Sequence, residues 1–426
     1  MLLALVAPVV DQQGGAAWAQ ERVTLRSDVL LYGDNTEFRN PFREGETLFG
    51  AAARVFVETT LGEKASLSLG GFGNQRFGSE QAFDLARPVI AITLHGTRSS
   101  FTFGTLPALR ADGPMGPDRG GTHALLPPIQ RETLAFDRPY EAGMQWDYLS
   151  DRLRHSLWIE WQRLNTAEHR ERFDGGVNAE LTLSDHVALP LQLHVVHEGG
   201  QLFNTGPVDD SAAAAVGVAL RGHGASVEIF GAGAKSVPDR QRPELDRTGP
   251  GFFARGAFER DRWRGHLIVW RGRHFIKDEG DPNYQSLRRD GTRYGGTRDY
   301  AELGVAKRVQ LTPGAIIEVS GRFHRIERYY EYSYRVVSIA GVRWKLRLSL
   351  GRSLGAGGVL GAGVLGAGCW VLGTTRCSRS GRRKPFRNQP PEPNLHPPCY
   401  DPRSPVTLSI QMGKPQVFPP GATSAA

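Results

Sequence analysis

Asp278, Glu279, Asp281 and Asn283 put four oxygen donors in one short stretch, a spacing that can hold Ca2+ in a loop. A solvated acidic loop has the same composition, and the sequence favours that reading. Gly361-x-Gly363-x-x-Gly366 matches a dinucleotide-binding pattern by letters only, since no strand precedes it and no helix follows. Gly231-Ala-Gly-Ala-Lys235-Ser236 echoes a phosphate loop but lacks the glycine before the lysine and reads as a strand end. No order of Ser, His and acid stands out as a hydrolytic triad. The expectation is a protein that is not an enzyme, with no cofactor and no metal.

The charged residues suit a physical task better than a chemical one. One side of the alternating stretches carries Arg26, Arg54, Arg152, Arg154, Arg255, Arg264, Arg308 and Arg322. The same side carries Glu58, Glu141, Asp147, Glu160, Glu180, Glu228, Glu259, Glu302 and Glu318. Opposed rows of charge across a narrow aqueous passage order water and sort solutes by size and charge. The near balance of signs predicts weak ion selectivity. A lattice of ion pairs that stiffens a wall would use the same residues.

That task needs strands, and the chain alternates almost throughout. Tyr140, Ala142, Met144, Trp146 and Tyr148 share one face, while Glu141, Gln145 and Asp147 share the other. Ile317, Val319, Gly321 and Phe323 oppose Glu318, Ser320, Arg322 and His324 in the same way. Sixteen such runs are predicted between residues 22 and 347. Most have the length of a tilted bilayer crossing, about 9–11 residues. Short connections such as Leu61-Gly62-Glu63, Ser150-Asp151 and Gly222-His223 alternate with long ones such as Gly33–Thr47, Pro107–Pro139 and Ile276–Thr297. Short turns on one side and long loops on the other mark an outer-membrane barrel. About sixteen strands enclose a space too wide for the wall's own side chains to fill, so a wet lumen without a dry apolar core is expected. Tyr32, Tyr140, Tyr148, Trp161, Trp263, Trp270 and Trp344 are candidates for aromatic girdles at the membrane interfaces. His155, between Leu153 and Leu157, is expected to face outward.

The chain has 426 residues and a net charge of +8. From Leu350 onward nine Lys/Arg and two Asp/Glu give +7, which leaves 8 − 7 = +1 for the rest. A nearly neutral body with interspersed signs argues against a nucleic-acid partner. The three cysteines, Cys369, Cys377 and Cys399, all lie in that last stretch, with no zinc spacing. Residues 1–19 read as a signal peptide, an apolar run ending at Ala17-Trp18-Ala19. Residues 20–349 form the expected barrel. Residues 350–426 are Gly/Ala-rich, then Arg-rich, then Pro-rich, and read as a disordered tail from a frameshift or read-through. Resequencing the 3′ end of the gene tests that origin.

Over roughly residues 20–349 the pattern resembles the Gram-negative porins, in architecture and without a subfamily signature. The resemblance implies an all-β fold: a transmembrane antiparallel up-and-down β-barrel whose third external loop folds inward as a constriction. It also implies a homotrimer. The third long loop, Pro107–Pro139, is the longest. It mixes the apolar run Ala124–Ile129 with Arg110, Asp112, Asp118, Arg119, Arg131, Glu132, Asp137 and Arg138, as a segment inside a wet lumen would. The expected location is the cell outer membrane, reached through the periplasm. The expected partners are membrane lipids, lipopolysaccharide and small hydrophilic solutes. The expected function is a channel for passive diffusion of those solutes. A saccharide-specific pore or polysaccharide-export barrel is the alternative, motivated by Tyr329, Tyr330, Tyr332 and Tyr334 in the last external loop. A barrel lipid enzyme with Ser and His on its outer face stands third, because such barrels are smaller.

Overall fold

Sixteen strands follow one another as expected: β1 (Val23–Arg39), β2 (Glu44–Leu61), β3 (Ala65–Arg76), β4 (Leu85–His95), β5 (Ser99–Thr105), β6 (Ala142–Leu149), β7 (Leu153–Arg163) and β8 (Glu171–Ser184) make the first half. The second half is β9 (Val187–Gly199), β10 (Asp209–Gly222), β11 (Ala225–Val237), β12 (Arg247–Arg260), β13 (Trp263–Arg273), β14 (Thr297–Thr312), β15 (Ala315–Ile326) and β16 (Tyr329–Gly351). This computed structural model describes residues 23–107, 123–351 apart from 201, 204, 205 and 313, and 407–412. The expected leader, most of the tail, and Arg110, Asp112, Asp118 and Arg119 lie outside the described residues. Within the tail, Thr407–Met412 forms a short strand, β17, where no strand is predicted.

Every strand of the barrel pairs antiparallel with its sequence neighbour, and β1 pairs with β16 from Val23↔Leu346 to Thr36↔Ser333, which closes the ring. Tight turns need backbone that few residues adopt. His223 and Gly224 between β10 and β11 both have positive φ, 52° and 75°, as a two-residue hairpin turn requires. The outward positions carry Leu31, Val55, Ile90, Leu157, Val216 and Leu267, all exposed. Among the described residues no helix is long and apolar enough to cross a membrane, so the crossing is made by strands. A closed barrel with this apolar exterior is an outer-membrane protein.

Several strands run past their predicted ends. β1 and β2 continue until only Asn40–Arg43 joins them, so the long loop expected at Gly33–Thr47 is mostly strand. Tyr329, Tyr330, Tyr332 and Tyr334 likewise belong to β16 instead of a loop, with Tyr330, Tyr332 and Tyr334 exposed on its outer side.

The interior departs from the expectation of a wet lumen. Phe38 and Phe42 from the first hairpin, Leu125, Leu126 and Ile129 from the third loop, and Phe275 and Tyr284 from the loop after β13 pack together inside the ring. They meet Trp158, Phe230, Phe253, Ile268, Trp270 and Tyr300 from the wall. A second cluster sets Phe136, from the short helix α1 (Leu134–Asp137), against Tyr32, Leu48, Phe56 and Phe72. The wall alone cannot fill so wide a ring, but loops can supply the missing volume. Each such side chain, Ile129 for instance, contributes about 1.5–3 kcal/mol on burial. Tyr32 and Trp270 therefore lie inside at 3% and 1% exposure and are not girdle residues. They share parity with the inward Arg26 and Arg264. Trp161 and Trp263 do face out, at 42% and 49%. A ring filled in this way is expected to pass no nanosiemens-scale current in a planar bilayer; steps of that size would mean that the loops leave the lumen.

Candidate functional site

β14, β15 and β16 bring an acid, an imidazole and a hydroxyl together on the lumen side. Glu302 stands directly across from His324, and Arg322 directly across from Ser333, so all share the inner face. Ser333 Oγ lies 2.8 Å from His324 Nε2. On the far side of the ring, Nδ1 is 2.8 Å from the Tyr300 hydroxyl and 3.3 Å from Glu302 Oε2. The Tyr300 hydroxyl donates to Glu302 Oε2, which leaves its oxygen to accept from His324 Nδ1–H. That fixes the tautomer: Nε2 is the bare nitrogen, and it faces Ser333. His266 Nε2 lies 2.7 Å from Glu302 Oε1, and Arg322 stands 3.7 Å from the same oxygen. Ser333, His324, Tyr300 and Glu302 are all buried, and Phe38 covers the His324 ring edge-on at 4.9 Å. Hydroxyl, base and orienting acid in this order are the arrangement of an activated nucleophile.

The described part of the third loop, 123–139, lies inside the ring. Asn178 Nδ2 donates to the carbonyls of His123 and Ala124, and the Leu126 amide donates to Gln192 Oε1. His123 stacks on Trp158 at 3.7 Å. Glu132 Oε2 receives Arg322 and Arg335 of the wall, each at 2.8 Å. Arg131 pairs with Asp137, and Arg138 with Glu279 at 2.9 Å.

The wall charges are largely paired with one another. Arg26 meets Glu58 at 2.8 Å, Arg154 meets Glu180 at 3.2 Å, and Arg308 meets Glu318 at 2.8 Å. Arg264 lies 3.3 Å from Glu259 and 3.7 Å from Glu318, and Arg255 pairs with Glu228. Arg54 donates to the Leu106 carbonyl, Glu141 lies 3.0 Å from His123, and Asp147 accepts from Gln145. Arg152 is exposed in the turn before β7 and lines no strand. Glu160 is directly across from Asp174. His155 is outward as expected, stacked on Tyr148 and edge-on to Trp146.

The loop carrying Asp278 to Asn283 is not solvated. Lys277 and Asn283 are 0% and 1% exposed, and the loop is tied to the third loop by Arg131 N–H to Glu279 O and Asp281 N–H to Pro127 O. Burial pushes the Lys277 ammonium down to about 8. Burial alone would raise the Glu279 carboxyl, but Arg138 foremost holds it well below the ordinary carboxylate range. Asp281 is taken by Arg43, 2.9 Å away, and by the Asn283 amide, so the four oxygen donors of the possible Ca2+ loop are not gathered round one point.

Sequence reasoning missed Ser333, Tyr300 and His266 as partners of Glu302 and His324. Shared parity across the tight turn at Glu327-Arg328 was the available signal.

Solved outer-membrane barrels resemble this chain at low identity. OmpT of Vibrio cholerae with loop L8 deleted is 9% identical, covers 75% of this chain and 99% of its own, and gives a TM-score of 0.48. The outer-membrane protein opdK of Pseudomonas aeruginosa is 12% identical over 76% and 99%, with a TM-score of 0.43. OccAB4 of Acinetobacter baumannii is 10% identical over 76% and 99%, at 0.39. No curated protein matches the sequence. A family model described as lipid A 3'-O-deacylase-type matches residues 14–348, and that description overturns the expectation of a barrel that is not an enzyme. With nearly the whole barrel inside the match, the chain belongs to the lipid A 3'-O-deacylase-type family.

Proposed function

We propose that this barrel is an outer-membrane ester hydrolase that removes an acyl chain from lipid A, with Ser333 as nucleophile and His324 as its base. The 2.8 Å contact between Ser333 Oγ and the bare Nε2 of His324 carries the chemistry. The family match supports the substrate class. Ser333 Oγ attacks the acyl carbonyl as His324 Nε2 takes its proton. The sugar hydroxyl leaves with that proton. Water, deprotonated by the same imidazole, then cleaves the acyl-serine to a free fatty acid and restores the hydroxyl. Glu302, through Tyr300, steadies the imidazolium while it lasts.

Ser333 lies near the turn that joins β15 to β16 on the long-loop side, the end of the barrel level with the leaflet that lipid A occupies. Its side chain faces the filled lumen, so the ester enters through the long-loop mouth and displaces Phe38 from His324. Tyr330, Tyr332 and Tyr334 on the outer side of the same stretch suit a headgroup interface.

Mass spectrometry of lipid A incubated with the refolded chain in detergent tests the reading. One acyl chain released as free acid is the expected result; intact lipid A at excess enzyme would overturn it.

The pore readings keep one observation, a cavity of about 350 Å³ at the short-turn end lined by Arg221, Arg255, Arg264 and His266. The bilayer measurement decides them, and chemical cross-linking decides the homotrimer.

A further inference from the structure

Away from Ser333, the lumen holds a second constellation. Asp174 on β8 and His194 on β9 are 1% and 0% exposed, and Glu279 reaches them from the loop after β13. His194 stands directly across from Gly176, diagonal to Asp174. A Cβ on Gly176 would sit 2.7 Å from the Trp158 ring, so glycine there keeps the tryptophan close beside the imidazole.

These groups face one another without bonding. His194 Nε2 is 3.6 Å from Asp174 Oδ2 and 4.0 Å from Glu279 Oε2, too far for hydrogen bonds. Among the described residues neither ring nitrogen of His194 has a hydrogen-bond partner, and neither has Asp174 Oδ1 or Glu279 Oε2. A buried imidazole with both nitrogens bare is costly. The other oxygens are held from outside the cluster. Gln162 donates to Asp174 Oδ2 at 2.9 Å and to Glu279 Oε1 at 3.1 Å, while Arg172 lies 3.3 Å from that same Glu279 oxygen. They orient the carboxylates, and one ligand atom from each of the three residues lies within 4.8 Å of the others.

We propose that Asp174, His194 and Glu279 form a binding site for one divalent first-row transition cation. One imidazole and two carboxylates are the donor set such ions take, at roughly 2.0–2.2 Å from each ligand atom. Two ligands at that distance and a tetrahedral angle stand about 3.4 Å apart. The observed 3.6 Å to Asp174 Oδ2, which keeps its bond from Gln162 and offers its second lone pair, and 4.0 Å to the unbonded Glu279 Oε2 need only a small inward movement. The ion also answers the like-charge pair of Glu160 and Asp174 across β7 and β8. The bound ion clamps the loop after β13 to the wall, and with it the third loop that pairs to it.

The full refolded chain, stripped with a chelator, is titrated with Mn2+ or Zn2+, and retained metal is counted after gel filtration. One ion per chain is expected, with affinity lower by about 100-fold or more in Asp174→Asn and His194→Gln, since even partners that merely orient a ligand cost 10–100-fold. Heat-modifiable mobility on gels reports that the variants fold. No ion retained by the wild type, or equal retention by the variants, overturns the site. Should a variant not fold, pulsed electron paramagnetic resonance of Mn2+ on the wild type decides: nitrogen coupling from His194 supports the site, and its absence rejects it.

Discussion

Ser333→Ala is expected to slow lipid A deacylation by about 10³-fold or more, because Ser333 is the hydroxyl of the cluster that faces the bare Nε2 of His324. The barrel should remain folded, since the change removes one hydroxyl from a strand whose ladder is intact, a loss of about 1 kcal/mol. His324→Gln should cost a similar factor, and the double variant little more, because the two groups act as one unit. Tyr300→Phe separates the roles. It leaves base and nucleophile in place and removes the oxygen that fixes the tautomer, so it should lower the rate while Ser333 stays reactive. The readout is fatty-acid release per folded barrel. A Ser333→Ala protein that releases acid at the wild-type rate would exclude this hydroxyl as the nucleophile, whatever the family's activity.

Glu132→Ala is expected to lower stability by about 3 kcal/mol, the lower end for breaking a buried charge pair by removing one partner. Its carboxylate joins the third loop to Arg322 and Arg335, and both guanidiniums are buried. Asp34 and Glu302 remain near them, which is why a larger loss is not expected. Urea unfolding of the refolded barrel measures it; a midpoint equal to wild type would show that the loop is held by its apolar residues alone. The same variant should conduct in a planar bilayer more readily than the wild type, because the loop has lost its polar anchor.

All sixteen strands were legible, because period-2 alternation persists wherever one face meets lipid. The contents of the ring were only half legible. The apolar run Ala124–Ile129 marked the third loop as buried, but Phe275 read as the end of a strand and Tyr284 as an ordinary residue of a solvated loop. Tyr32 and Trp270 were misplaced because strand-end position outweighed parity, although parity with Arg26 and Arg264 already put them inside. Asp174 and His194 could not be told from any other lumen residue. Their meeting depends on a loop that arrives from the other side of the ring, and alternation carries no information across that distance. Glu302 and His324 were placed on the inner face, yet the hydroxyl that gives them a chemical meaning was read as part of a tyrosine-rich loop.

The interior core has a consequence for assembly order. Asp34 and its partner Arg335 are 301 residues apart in sequence, and they meet only where the first and last strands close. The loops that fill the ring have no complete wall to pack against until then. Trp158, Phe253 and Trp270 must therefore stay in contact with water or a chaperone through most of synthesis, export and insertion. A chain that stops short of β16 would carry most of the same lipid-facing surface but no finished inside. Its unpacked interior residues are what a periplasmic protease would meet.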